Sequence, residues 1–231
     1  YEGMKIRDKM TLKKQDDLRK ILLLNDYIVQ VRFSEGKPED IDYNLNDHRM
    51  YHIQWGNGLL SNDEEEILRK TNLTELYRKY FRLDKDISED MWLTPGNILS
   101  INNKPIIINR TERYHNEFFP WKSIVSEYGS ESLFVGTSEE YELFCSNFGT
   151  VDYYKTETMI DLFEIIAGSK LFIGNQSFPY SLAEGLKKTT IQETDFMGVP
   201  NCVFPRKNAY YTLDENSSMI MNMRKFIEGV L

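Results

Sequence analysis

A chain of 231 residues, 41% hydrophobic and 28% charged, has the composition of a soluble globular protein with room for one large domain or two small ones. Its net charge of -8 argues against sequence-independent nucleic-acid binding, which needs a basic surface. Cys145 and Cys202, with His48, His52 and His115, form neither a disulfide framework nor a metal-binding spacing, and no apolar run approaches the ~20 residues that span a bilayer. The thiols read as reduced and no leader is visible, the pattern of a cytoplasmic protein.

In chain order, residues 12–24 have helical spacing, with Leu12, Leu18, Ile21 and Leu22 on one face. Residues 27–33 read as a strand closed by the turn Gly36-Lys37-Pro38, and residues 41–45 alternate as a half-buried strand would. Ser61-Asn62-Asp63 caps a helix from Glu64, and Asn72 or Thr74 starts another. Residues 84–104 hold the turn signals Pro95-Gly96-Asn97 and Asn102-Asn103, which place a connector there. The expected division is a smaller, truncated α/β region over residues 1–100 and a second domain over residues 101–231.

From Pro105 the rhythm is regular. Short apolar strands at 106–108, 132–136, 151–154, 170–174 and 189–193 alternate with helices at 121–128, 139–148, 159–167 and 177–187, and a closing helix covers 219–230. This alternation predicts an α/β fold: a Rossmann-like parallel sheet with helices on both faces.

Ligands of such sheets lie beyond the carboxyl ends of the strands. Gly174-Asn175-Gln176-Ser177 is the sharpest of these turns. A glycine there admits close approach of a ligand to the backbone, and a helix N-terminus follows, with free N–H donors suited to a diphosphate. Ser177 reads equally as a helix cap or as a phosphate donor, and Asn175 as a turn-closing residue or a ligand contact. Arg110 and Arg113 follow the first strand and suit phosphate in bidentate geometry, or surface ion pairs with Glu112 and Glu117. Glu139 and Glu140 suit the N-terminal end of their helix, or a sugar hydroxyl; Glu184 suits a ribose or a capping contact. No Ser-His-acid set and no GxGxxG turn is present.

The stretch 165–186, with Gly174-Asn175-Gln176-Ser177 at its centre, resembles the carboxyl-half motif of heptosyltransferase-like GT-B glycosyltransferases. Gly136-Thr137-Ser138-Glu139-Glu140 is similar to that family's Gly-x-x-Glu-Glu loop. Asn109-Arg110-Thr111-Glu112-Arg113-Tyr114, with Pro120-Trp121, is similar to its first basic loop. The resemblance covers residues 105–195 in order. It implies a GT-B architecture of two facing Rossmann-like domains and an inverting transfer of sugar from a nucleotide-diphosphate donor. The acceptor, whether glycan, lipid or protein, is not specified. It also implies a mechanism without metal or other cofactor. Arg110 and Arg113 would balance the phosphates; Asn175, Gln176 and Ser177 would hold the diphosphate and sugar; Thr137 and Glu139 would shape the nucleotide pocket; Glu184, placed with the substrate-binding residues, stays open between a ribose and a capping contact.

Three positions depart from the pattern: Gln176 stands where the family has Asp, Phe178 where it has Gly, and Ser181 where it has His. Arg113 stands where Lys is frequent. The family's opening strand and Gly-rich loop, which carry its catalytic base, have no counterpart before Leu12, so a fragment is expected and no base is named. Two other readings of the same residues are a nucleotide-sugar-binding module without turnover and a sugar-nucleotide epimerase.

Overall fold

The computed structural model describes residues 10–33, 88–195, 202–211 and 219–231, with scattered positions between 72 and 86. In chain order its elements are α1 (Leu12–Leu23), β1 (Ile106–Asn109), α2 (Trp121–Tyr128), β2 (Ser132–Gly136), α3 (Ser138–Phe148), β3 (Asp152–Lys155), α4 (Met159–Gly168), β4 (Leu171–Asn175), α5 (Phe178–Gly185), β5 (Thr189–Glu193), β6 (Ala209–Tyr211) and α6 (Met219–Glu228).

The six strands form one sheet, in the order β3-β2-β1-β4-β5-β6, and every pair is parallel. This is the Rossmann-like α/β sheet expected from the sequence. β1 and β4 are buried at every position, which explains their unbroken apolar character. Side chains alternate between the two faces. Ile107, Val135 and Phe172 join the core formed with α1, α4 and α5. Ile106, Ile108, Phe134 and Ile173 join the core formed with α2, α3 and α6. Trp121 anchors the second core, its ring edge-on to Phe144 at 5.2 Å. Fully burying each such aliphatic side chain contributes about 1.5–3 kcal/mol.

Local chemistry sets the helix starts. Thr137 opens α3 and Thr158 opens α4 with reciprocal capping boxes, through Glu140 and Asp161 respectively. Thr11 caps α1 by accepting from the Lys14 N–H. The buried Asp17 carboxylate of α1 accepts from the Met159 N–H at the first residue of α4, at 3.2 Å, where a negative charge is favoured.

The early chain shares the core of the sheet. Ile21 and Leu93 are both buried there. The connector expected over 84–104 runs across the helices: the N–H groups of Trp92 and Leu93 donate to the Gly185 carbonyl at 3.0 and 2.9 Å, and that of Leu99 donates to Glu164.

Residues 27–33, expected as a strand, are irregular. Their apolar residues find no common face: Val29 is 93% exposed, and no strand pairs with the segment among the described residues. The helix expected from Asn72 or Thr74 is present at Thr74, Glu75 and Arg78, with Asn72 Oδ1 accepting from the Glu75 N–H at 3.0 Å. The strand expected at 41–45 and the helix from Glu64 lie outside the described residues. β6 was not foreseen.

Candidate functional site

Strand order reverses at β1, whose two neighbours β2 and β4 are followed by helices on opposite faces of the sheet. The crevice of such a sheet opens beyond the carboxyl ends at this point. A cleft of about 540 Å³ lies there. Its walls include Asn109 at the end of β1 and Thr111 after it, the 136–140 turn that begins at the end of β2, Lys155 at the end of β3, and Phe178-Pro179 at the start of α5. The amino-terminal turn of α1 closes one side with Lys13 and Lys14.

Gly136 adopts φ +149°, a conformation that L side chains rarely take. A Cβ there would stand 2.7 Å from Glu140 Oε2 and 3.1 Å from Asn109 Nδ2, so only glycine leaves the turn open. Thr137 and Glu139 line the cleft and are exposed. Glu139's own N–H and the Thr137 side chain hold its carboxyl below the usual glutamate range. Burial pushes Glu140 above that range, against the pull of the Thr137 N–H that its carboxylate accepts.

The 174–177 turn divides into walls and rim. Gly174 is part of β4, and its missing side chain makes room for β1: a Cβ would stand 2.9 Å from the Asn109 carbonyl and 2.8 Å from the Phe172 ring. The close approach there is by the neighbouring strand, not by the ligand that the spacing suggested. Asn175 is fully buried; its Oδ1 accepts from the Thr111 N–H at 3.1 Å, and its Nδ2 donates to the Thr111 and Arg113 carbonyls. Asn175 therefore clasps the β1 loop across the switch point. Gln176 donates to the Cys202 carbonyl at 3.2 Å and accepts from the Asp195 N–H at 2.9 Å, away from the cleft.

Ser177 does not cap α5 with its side chain. Its hydroxyl instead reaches the Asn175 carbonyl at 3.1 Å and Asn109 Oδ1 at 3.4 Å. The capping alternative for Ser177 is thus overturned, and the first turn of α5 meets the cleft without a side-chain cap. Pro179 contributes no N–H, so Phe178 and Tyr180 carry the donors that this turn presents.

The other expected residues lie elsewhere. Arg110 forms a two-pronged pair with the buried Glu193 at the end of β5, at 2.8 and 3.0 Å, and its guanidinium lies over the Phe148 ring. Neither Glu112 nor Glu117 takes that place. Arg113 is exposed beside the cleft loop and rests over Tyr114 at 5.0 Å. Glu184 sits near the far end of α5, buried between Arg206 (2.8 Å) and Lys187. Of the expected residues the cleft lining brings together Thr137 and Glu139; beside them stand Phe178 and Pro179, which follow Ser177 at the start of α5. Lys155 joins them from the end of β3, where residues facing a ligand are expected, and Lys14 joins them without having been anticipated. Lys14 comes from some ninety residues before β1, and nothing in its local pattern distinguishes it from a solvated helix lysine.

No family model matches this chain, and no curated protein sequence is recognisably similar to it. Among the solved structures, several are similar. E. coli heptosyltransferase WaaC with ADP-2-deoxy-2-fluoro heptose has a TM-score of 0.43 and 16% identity, over 67% of this chain and 53% of that one. The same heptosyltransferase with ADP has a TM-score of 0.45 and 15% identity, over 68% and 55%. The glycosyl transferase family 9 protein from Veillonella parvula has a TM-score of 0.42 and 13% identity, over 68% and 54%. The chain spans about half the length of the structures it matches.

Proposed function

We propose that the cleft binds a nucleotide-diphosphate sugar and that the chain is the donor-binding part of a metal-independent GT-B glycosyltransferase. The observation that carries this reading is the side-chain-uncapped start of α5 opening onto a cleft at the point of strand reversal. Backbone N–H groups and the positive end of a helix suit a diphosphate, and the charge they neutralise is that of the leaving group. The motif order in the sequence supports the same reading.

In this reading the diphosphate lies against the Ser177 turn, with Arg113 and Lys14 as mobile cations at its edge. The nucleoside lies along 136–140, where the Glu139 carboxylate offers an acceptor for a ribose hydroxyl and Thr137 lines the wall. Arg110, Asn175, Gln176 and Glu184 are engaged inside the fold and do not touch the donor. Transfer follows when an acceptor hydroxyl attacks the sugar carbon from the face opposite the departing nucleotide diphosphate. The new C–O bond forms as the old one breaks, and the acceptor proton passes to a base.

A second reading, binding without turnover, is favoured by the engagement of four expected ligand residues inside the fold. Calorimetry of the intact chain with a panel of nucleotide sugars tests the shared premise: a folded chain that binds none of them overturns both readings. Product formation with an acceptor panel separates transfer from simple binding, and NMR of the recovered sugar nucleotide detects epimerisation.

A further inference from the structure

The opposite edge of the sheet carries another cavity. At the amino ends of β4 and β5, about 710 Å³ of space lies between the strand starts and the last turns of α6. Lys170, Lys187, Lys188 and Lys225 line it, and its lining contains no Asp or Glu. The whole chain has 36 acidic residues against 28 basic ones, so this local excess of positive charge runs against the composition.

Helix ends account for part of it. Lys188 Nζ donates to the Ala167 carbonyl in the last turn of α4 at 3.0 Å, and Lys170 Nζ donates to the Leu231 carbonyl beyond α6 at 3.3 Å. Each helix carboxyl end carries about half a negative charge. Lys187 is paired with Glu184. Lys188 and Lys225 have no carboxylate partner among the described residues, while Lys170 is held by the oxygen of Leu231, the last residue of the sequence. Lys188 is also partly buried, and that burial pushes its ammonium below the usual lysine range with no neighbouring carboxylate to restore it. A partly desolvated cation next to open space is stabilised by an anion that enters it.

We propose that this cavity is a binding site for an organic phosphate, separate from the cleft at the carboxyl edge. The ammonium groups of Lys170, Lys188 and Lys225 bind the phosphate oxygens, and Leu186 and Phe226 cover the carbon part. The volume falls within the usual range of small-molecule sites. The group recognised is a phosphomonoester, free in solution or displayed as a lipid headgroup.

The test uses the full chain and two probes: glycerol phosphate, and phosphatidylcholine vesicles with or without phosphatidic acid. Lysine acetylation read by mass spectrometry locates binding. Protection is expected at Lys188 and Lys225 but not at Lys14 or Lys155, which separates this site from the donor cleft. Lys225 is exposed, so Lys225→Gln leaves the fold intact; it should weaken binding about tenfold, the scale of one charged hydrogen bond, while Lys225→Arg retains it. Lys225-dependent sedimentation with phosphatidic acid vesicles assigns the headgroup as the source, and binding of glycerol phosphate alone assigns a soluble ester. Absence of protection by both probes, equal binding by Lys225→Gln, or equal protection by sulfate at matched ionic strength overturns the proposal.

Discussion

Arg110 at the end of β1 and Glu193 at the end of β5 pair across the intervening strand β4, with Nε 2.8 Å from Oε2 and Nη2 3.0 Å from Oε1. The same carboxylate accepts from the Asn116 N–H and from Trp121 Nε1, each at 2.9 Å. Four donors thus converge on a carboxylate with no solvent exposure. Glu193→Ala leaves a guanidinium only 11% exposed without its partner, and should cost about 3–5 kcal/mol in urea unfolding. Adding Arg110→Met should recover part of that loss. A Glu193→Ala chain as stable as the parent would refute the assignment.

Asn175 and Ser177, two residues apart, should separate stability from binding. Asn175→Ala leaves the Thr111 N–H without its acceptor and should cost about 1–3 kcal/mol. Ser177→Ala removes no cap and should change stability by less than about 0.5 kcal/mol, while weakening nucleotide-sugar binding about tenfold. Calorimetry and urea titration on both variants read the split; unchanged affinity in Ser177→Ala would remove Ser177 from the donor site.

Gly136→Ala should both strain the turn and narrow the cleft. The new Cβ meets Glu140 Oε2 at 2.7 Å, and its backbone must stay at φ +149°. A cost of about 1–3 kcal/mol is expected, seen as a lower melting temperature, together with weaker nucleotide-sugar binding. A fully stable variant would show that the turn relaxes without cost.

Glu140 gives stability a pH dependence of defined sign. Burial raises its carboxyl pKa in the folded state; the Thr137 N–H and hydroxyl oppose this, and the charges of Glu112 and Glu139 add to it. The folded chain therefore holds this proton more tightly than the unfolded chain. The resulting stabilisation is complete below the unfolded glutamate value and is lost as pH rises through the raised folded value. Glu140→Gln should flatten that part of the curve just above the unfolded glutamate value, because Gln still reaches the Thr137 N–H. Urea midpoints measured across the range for both chains would expose an unchanged slope.

What could be read from the sequence follows from how local each signal is. The strands β1, β2 and β4 are short apolar runs bounded by caps and turns, and buried parallel strands leave that mark. The capping pairs Thr137–Glu140 and Thr158–Asp161 lie three residues apart. The site is less legible because its charged partners are distant. Arg110 and Glu193 are 83 residues apart, and only the strand order brings them together. An arginine just after a strand looks the same whether it meets phosphate or a buried carboxylate. Residues 27–33 mislead for the converse reason: β-branched and aromatic residues suit a strand only where a neighbouring strand supplies the ladder. β6 has the opposite character: Ala209, Tyr210 and Tyr211 are each only partly buried, so its short run carries no clear alternation.

The central place of β1 has a consequence for synthesis. Among the described strands it emerges first, yet one edge pairs with β2 and the other with β4, which begins more than sixty residues later. Until β4 is made, Ile106-Ile107-Ile108 presents an unpaired apolar edge, the kind that recruits other chains. During that interval the nascent protein is open to aggregation, and conditions that slow elongation between β2 and β4 should lower its soluble yield more than equal delays after β5.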